Sequence, residues 1–213
     1  MDKTDNFPEH MVEYSSKCIF VKSIFWKRIF DSIKMARLTR DDKILDIGCN
    51  TGHLLKSIQR KVQCSCWGID IEKKIMTLKI PNCNFKVADV TKMPFEDNYF
   101  DKIFALDTLE HVKNIESAID EVYRILKPTG FIILSGPTEN WFYKICRFLQ
   151  FQTFEKNKQI DKPGFRRDSD HHFHTVYQIE KRFKNKGFKT IERKILPSRW
   201  LPNLFRITKF QKV

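Results

Sequence analysis

Short apolar runs separated by helical patterns place the strongest constraint on how this chain folds. Each run contains few charges, which is typical of strands buried on both faces of a parallel sheet. The alternation of strand and helix predicts an α/β fold with a doubly wound, mostly parallel sheet and helices on both faces. The clearest runs are "KILDIGC" (43–49), "QCSCWGID" (63–70), "FDKIFALD" (100–107) and "FIILSGP" (131–137).

The rest of the chain extends this alternation to seven strands and five helices. Thr175 and Gln178 form the T-x-x-Q pattern of a capping box, and Gly187 is placed to end the helix that begins there. The further strands are predicted over 85–89, 188–196 and 204–210, and the helices over 11–38, 51–60, 72–78, 115–126 and 175–186.

The charge of the chain bears on its partners. Its 213 residues contain 39 Lys and Arg against 26 Asp and Glu, a net charge of +13. A field of this sign attracts phosphates, nucleic acid or an anionic membrane surface. No apolar stretch approaches the length of a bilayer span, so we expect no membrane crossing.

The six cysteines lack the paired C-x-x-C spacing of many metal sites. No signal peptide is evident before them, so we expect reduced thiols in a cytoplasmic protein. Cys64 and Cys66 form a C-x-C pattern on one face of a predicted strand, which leaves a metal site open as an alternative. Because no third and fourth ligand is evident, we predict no metal.

The stretch "ILDIGCNTGHLL" (44–55) runs from a strand through a glycine loop into a helix. Gly48 and Gly52 permit positive φ and a close backbone approach to a ligand. Such a loop offers N–H groups to an anionic group. The pattern D-x-G-x-N-x-G departs from the G-x-G-x-x-G of dinucleotide sites, so it fits another nucleotide site or a plain βα turn.

Two further acids strengthen the case for a nucleoside site. Asp70 ends the strand "WGID", where a carboxylate can accept both hydroxyls of a ribose. Asp89 ends "KVAD", where it can accept from the exocyclic amine of adenine. Together with Asp46, three acids stand at successive strand ends, on the edge where doubly wound sheets bind ligands. Each one alone is more often a surface or capping residue.

Four motifs in this order resemble the class I S-adenosylmethionine (SAM)-dependent methyltransferases, in particular the subgroup that includes quinone-biosynthesis methyltransferases. The motifs are "ILDIGCNTG", "WGIDI", "KVADVTKMPFEDNYFD" and "ALDTLEHV…EVYRILKPTGFIILSGP". The resemblance implies a Rossmann-like fold, SAM as cofactor and direct in-line displacement of the methyl group. It also implies the cofactor-binding residues: Asp46, Gly48, Cys49, Asn50 and Gly52 at the methionine end, Asp70 and Ile71 at the ribose, Asp89 and Val90 at the adenine, and Asp107 and Leu109 near the methyl group.

The chain departs from the family pattern at Asn50, where glycine is usual, and in "KPTG" in place of "KPGG". Asparagine tolerates left-handed backbone angles, so we expect the loop to form. The resemblance gives one methyltransferase domain over 1–213, with an N-terminal helical cap (1–40), a cofactor-binding core (43–137), a substrate lid (138–174) and a C-terminal helix with two strands (175–213).

Histidine is the natural general base near neutral pH, and one is needed only if the acceptor must lose a proton. His111 follows Glu110 after the fourth strand, although it could simply cap the next helix. His171, His172 and His174 precede the capped helix, in the segment expected to cover the acceptor. An exposed loop cluster or a metal site would also explain these three.

Three segments mix aromatic and basic residues, namely 20–30, 141–151 and 199–210, and two of them resemble interfacial helices. Core packing with a solvated basic face explains each one singly, but together they favour a small-molecule or lipid-linked acceptor met at an anionic membrane surface. RNA is the rival acceptor, since exposed aromatics and cations could stack bases and neutralise phosphates. A non-catalytic nucleic-acid or membrane-binding protein on the same scaffold is the other alternative.

Overall fold

The structure is a computed structural model, and it describes residues 19–141, 143, 172–197 and 203–213. A seven-stranded sheet lies at its centre, in the order β3-β2-β1-β4-β5-β7-β6. Strands β1 to β5 are Lys43–Ile47, Ser65–Asp70, Cys83–Val87, Phe100–Leu106 and Leu126–Pro137, and β6 and β7 are Phe188–Leu196 and Phe205–Lys212. The helices are α1 (Ile19–Ala36), α2 (His53–Gln59), α3 (Ile115–Ile125) and α4 (Val176–Asn185).

The sheet is mixed, with five parallel strands and one antiparallel hairpin. Strands β1 to β5 pair in parallel with their neighbours, whereas β7 pairs antiparallel with both β5 and β6. Strand β6 is therefore joined to the sheet only through β7, although β6 precedes β7 in the sequence. The predicted Rossmann-like α/β fold is confirmed.

Helices cover both faces of the sheet, and each face has its own apolar core. On one face, buried residues of α1 and α2 such as Ile29 and Leu55 pack with Ile44 of β1. On the other face, α3 and α4 contribute Val122 and Phe183. The near-continuous apolar pattern of the central strands reflects this double coverage, because each strand buries side chains on both sides.

Local signals set the ends of α4 as predicted. The Thr175 hydroxyl accepts from the Gln178 backbone N–H, and the Gln178 side chain accepts from the Thr175 backbone N–H. Gly187 follows the helix with a φ of 104°, which a residue with a Cβ rarely adopts.

Two element predictions need correction. The segment predicted as a helix over 72–78 is a short 3₁₀ helix, Lys73–Thr77, a form that short connecting segments often take. Strand β5 begins at Leu126, directly after α3, so Pro128 lies inside a strand rather than in a turn. The register of β4 against β5 shifts between Phe100 and Lys102, as in a β-bulge, where proline is tolerated.

The thiols of Cys64 and Cys66 lie 3.8 Å apart on one face of the chain, as alternation predicted. Both side chains are buried, and the four cysteines of the described ranges are free. Cys18 and Cys146 lie outside those ranges. Across the described helices, none combines the length and apolar character that a membrane span requires.

Candidate functional site

The loop after β1 bends sharply because three of its residues adopt left-handed backbone angles. The φ values are 72° at Gly48, 42° at Asn50 and 73° at Gly52. Asparagine thus takes a left-handed conformation here, as its chemistry predicted. A Cβ at Gly48 would overlap the Oγ1 and Cγ2 atoms of Thr108, which follows β4. Glycine at this position allows two neighbouring strand ends to meet.

The backbone N–H groups of this loop largely donate hydrogen bonds within the protein. The prediction that they bind an anionic group is therefore wrong for these groups. Strand β2 lies beside the loop and supplies most of the acceptors. The donors and acceptors are Gly48 N and Cys49 N to Ile69 O at 2.8 and 3.0 Å, Asn50 N to Asp70 Oδ2 at 3.0 Å, and Gly52 N to Cys49 O at 2.7 Å.

Carboxylates provide the charge at this edge of the sheet. Asp46 is buried in β1, and burial followed by the negative charge of Asp70 raises the pKa of Asp46 well above its usual range. The same sources, burial first and then the charges of Asp46 and Asp70, raise the pKa of the Cys49 thiol. No described Lys or Arg forms an ion pair with Asp46 or Asp70. A poorly compensated acidic pair of this kind favours a cation.

Asp70 links the loop to the segment after β2. Besides Asn50 N, its carboxylate accepts from the backbone N–H of Glu72 at 3.0 Å. Ile71, between Asp70 and Glu72, is 72% exposed.

Asp89 lies beyond the end of β3, on the edge strand. Its Oδ1 atom accepts from both the N–H and the hydroxyl of Thr91, each at 2.8 Å, in a local turn. Asp89 is exposed, whereas the side chain of Val90 is buried. The adenine role of these residues stays a prediction.

Asp107 follows β4 and pairs with a residue that the sequence analysis did not single out, Arg28 of α1. Arg28 is 2% exposed. Its guanidinium lies 4.8 Å from the ring centroid of Phe25 and 4.9 Å from that of Phe205. Helix α1 is therefore fixed against the end of β4 by a buried cation.

A second group of side chains lies next along this edge, and we call Glu110, His111 and His172 the Glu-His-His cluster. The rings of His111 and His172 have centroids 4.8 Å apart. His172 Nδ1 lies 2.5 Å from Glu139 Oε1, just after β5. The cluster thus joins the ends of β4 and β5 to the segment that precedes α4.

Glu110 is the most buried member of this cluster, with 1% of its surface exposed. Burial raises the pKa of Glu110 to about 7, the charge of Glu139 adds to this rise, and the charge of Arg28 opposes it. The carbonyl of Glu110 accepts from Phe173 N at 2.8 Å. This bond ties the segment before α4 to the site.

The remaining predicted residues are not brought into the cluster. The ring of His174 faces the carbonyl of Lys113, with Nε2 at 3.4 Å from that oxygen, and His171 lies outside the described residues. The side chain of Leu109 is fully buried in the apolar core, so only its backbone is available to a ligand.

Comparisons with known proteins identify this arrangement. Residues 45–134 match the family model "Methyltransferase domain". The residues of the sheet edge from Asp46 to Glu110 fall within that match. Over these residues the chain is similar to class I SAM-dependent methyltransferases.

Two relatives of this domain are named as a sterol methyltransferase and a quinone-biosynthesis methyltransferase. The chain is 34% identical over 104 residues to the sterol 24-C-methyltransferase of Saccharomyces cerevisiae, covering 45% of this chain and 27% of that protein. It is 31% identical over 118 residues to the ubiquinone/menaquinone biosynthesis C-methyltransferase UbiE of Neisseria meningitidis, covering 51% of this chain and 47% of UbiE. The matched stretches span less than half of either relative.

The fold of the domain also has solved counterparts. A SAM-dependent methyltransferase from Methanosarcina mazei superposes with a TM-score of 0.62 at 24% identity, covering 85% of this chain and 97% of that one. The fold shared with that structure therefore extends beyond residues 45–134. SAM is the cofactor of this family.

Two residues of the candidate site, Arg28 and Glu139, were not predicted from the sequence. Arg28 carries only a weak signal, because it is one of two adjacent cations, with Lys27, between the apolar positions Phe25 and Ile29 of the predicted helix. Glu139 directly follows the strand "FIILSGP" and Thr138, so the rule that singled out acids at strand ends could have included it.

Proposed function

We propose that this chain binds SAM at the carboxyl ends of β1, β2 and β3 and transfers its methyl group to a small, lipid-like acceptor. The observation that carries the proposal is the acidic pair Asp46 and Asp70 beside a glycine loop, with no described basic side chain paired to either. When bound, SAM supplies a sulfonium methyl group that a nucleophile displaces directly. A cationic ligand suits this acidic edge better than a phosphate does.

The proposed roles follow from the contacts of each residue. Asp70 is held by Asn50 N and Glu72 N, and its remaining lone pairs are available to ribose hydroxyls. Gly48 lets the backbone of the loop approach the ligand, and a cation bound there favours the ionised form of the buried Asp46. Asp89 is assigned to the adenine end. Orientation and exclusion of water are the main tasks left to the protein.

The part of the sheet edge proposed to meet the acceptor carries exposed apolar side chains, and the protein as a whole is basic. Two exposed apolar side chains lie on this side: Trp141 after β5 at 70% exposure and Phe173 before α4 at 52%. Large exposed apolar side chains often mark sites for apolar ligands or membranes. With a net charge of +13, they support an acceptor met at an anionic membrane surface by a cytoplasmic protein.

Replacement of Asp70 by asparagine tests the cofactor site. The carboxylate makes charge-assisted hydrogen bonds, so Asp70→Asn should weaken SAM binding by about 30-fold, equal to about 2 kcal/mol. Isothermal titration calorimetry measures this change. Asp41→Asn, which neutralises an exposed carboxylate away from the loop, serves as control and should bind SAM like the wild type. Absence of SAM binding in the wild type, or equal affinity in Asp70→Asn, would refute the proposal.

A methyl-transfer screen tests the acceptor class. Methyl-labelled SAM is incubated with the protein and, separately, a lipid extract, total RNA or a pool of polar metabolites. We expect label in the lipid fraction, because apolar side chains border the edge. Label in RNA alone would overturn the lipid assignment while leaving SAM binding intact, and Asp70→Asn should reduce incorporation in whichever fraction is labelled.

A further inference from the structure

The Glu-His-His cluster has the composition and spacing of a metal site. One ligand atom from each of Glu110, His111 and His172 lies within 4.8 Å of the other two. Across the described ranges, no other group of three His, Cys, Asp or Glu residues has this spacing. Two residues come from the turn after β4 and the third from the segment before α4, so the fold brings them together.

The electrostatics of the cluster favour a cation. Both carboxylate oxygens of Glu110 are buried and make no hydrogen bond with a described residue. Burying a carboxylate without hydrogen-bond partners is costly, so an unsatisfied group of this kind needs an explanation. Glu139 adds a second acid, and Arg28, whose charge acts on Glu110, is already paired with Asp107.

Glu139 orients one of the ligands. Because His172 Nδ1 is engaged by Glu139 Oε1 at 2.5 Å, its Nε2 atom is left to face another partner. A carboxylate on the far nitrogen of a ligating histidine is the usual second layer of a metal site. Glu139 is therefore a positioning residue for His172.

We propose that Glu110, His111 and His172 bind one divalent transition-metal ion of the zinc, iron(II) or cobalt(II) class. Two imidazoles with one carboxylate suit these ions, whereas magnesium and calcium prefer oxygen ligands alone. Ligand atoms stand about 2.0–2.2 Å from zinc, so in a tetrahedral site they lie about 3.3–3.6 Å from one another, and the cluster must close by about 1 Å on binding.

Three protein ligands leave at least one coordination position open for water or an oxygen of the acceptor. His111 and His172, predicted as general bases, become ligands under this assignment. A role of the ion in methyl transfer rests on the proposed function, but metal binding does not.

Metal titration of the full chain tests the assignment directly. After treatment with a chelator, the protein is titrated with Zn²⁺ by calorimetry and with Co²⁺ by absorption spectroscopy. We expect one ion per chain, with affinity reduced at least about 100-fold in Glu110→Gln and His172→Asn and about 10–100-fold in Glu139→Gln. His174→Asn, two positions from His172 but outside the cluster, should bind the metal like the wild type.

Several outcomes would overturn the assignment. They are no metal binding by the wild type, unchanged affinity in Glu110→Gln and His172→Asn, or a Co²⁺ spectrum dominated by thiolate charge transfer, which would place the ion at Cys64 and Cys66. His172 is less buried than Glu110, so its variant should stay folded even if Glu110→Gln does not, and thermal melting verifies this. SAM titrations of the same samples separate a failure of this site from a failure of the cofactor site.

Discussion

Gly48→Ala is expected to destabilise the protein by about 2–4 kcal/mol and to weaken SAM binding at least about 100-fold. The new Cβ would overlap Thr108 Oγ1 and Cγ2, and a φ of 72° is unfavourable for alanine. Relief of the overlap must move the loop away from the end of β4 and so change the shape of the proposed SAM site. Urea denaturation and SAM calorimetry measure the two effects.

The chain offers a matched control and a rescue for this variant. Gly136→Ala places its Cβ at 3.4 Å from the nearest atoms of Val176, an ordinary contact, so its stability should stay near that of the wild type. Thr108→Ala in the Gly48→Ala background removes both overlapping atoms and should restore at least about 1 kcal/mol through coupling of the two sites. Additive effects of the two substitutions would show that the overlap is not the cause.

Arg28→Met is expected to lower the free energy of unfolding by about 3 kcal/mol. The substitution keeps an apolar stem between Phe25 and Phe205 but leaves Asp107 and the buried Glu110 without their cation. Denaturant unfolding, followed by circular dichroism, measures the loss.

A second substitution and a neighbouring lysine make this prediction specific. Asp107→Asn in the Arg28→Met background removes one unpaired charge and should recover part of the lost stability. Lys27→Met removes the adjacent cation, which is 47% exposed and paired with Asp31, and should change stability by less than about 0.5 kcal/mol. If Arg28→Met behaves like Lys27→Met, the buried ion pair does not hold α1 in place.

The sheet and its acidic edge were predictable because their signals are local. An apolar run that ends in Asp46 or Asp70 marks both a strand and the position of an acid at its carboxyl end. The capping box at Thr175 and Gln178 likewise lies within one turn of helix. Asn50 could be assigned a left-handed backbone from its chemistry alone.

The rest of the site depends on contacts between distant segments. Arg28 and Asp107 are far apart in sequence, and only the packing of α1 against the sheet brings them together. The loop N–H groups were assigned to a ligand because the sequence did not reveal that the carbonyl of Ile69 would accept two of them. Glu139 meets His172 through the same kind of long-range packing.

The position of β7 between β5 and β6 has a consequence for the order of assembly. Until β7 is synthesised, the outer side of β5 is an open edge with unpaired backbone groups, and β6 has no neighbour in the sheet. Exposed edges of this kind recruit strands from other chains. A nascent chain that stalls before residue 205 is thus at risk of aggregation, and arrival of β7 covers the open edge of β5.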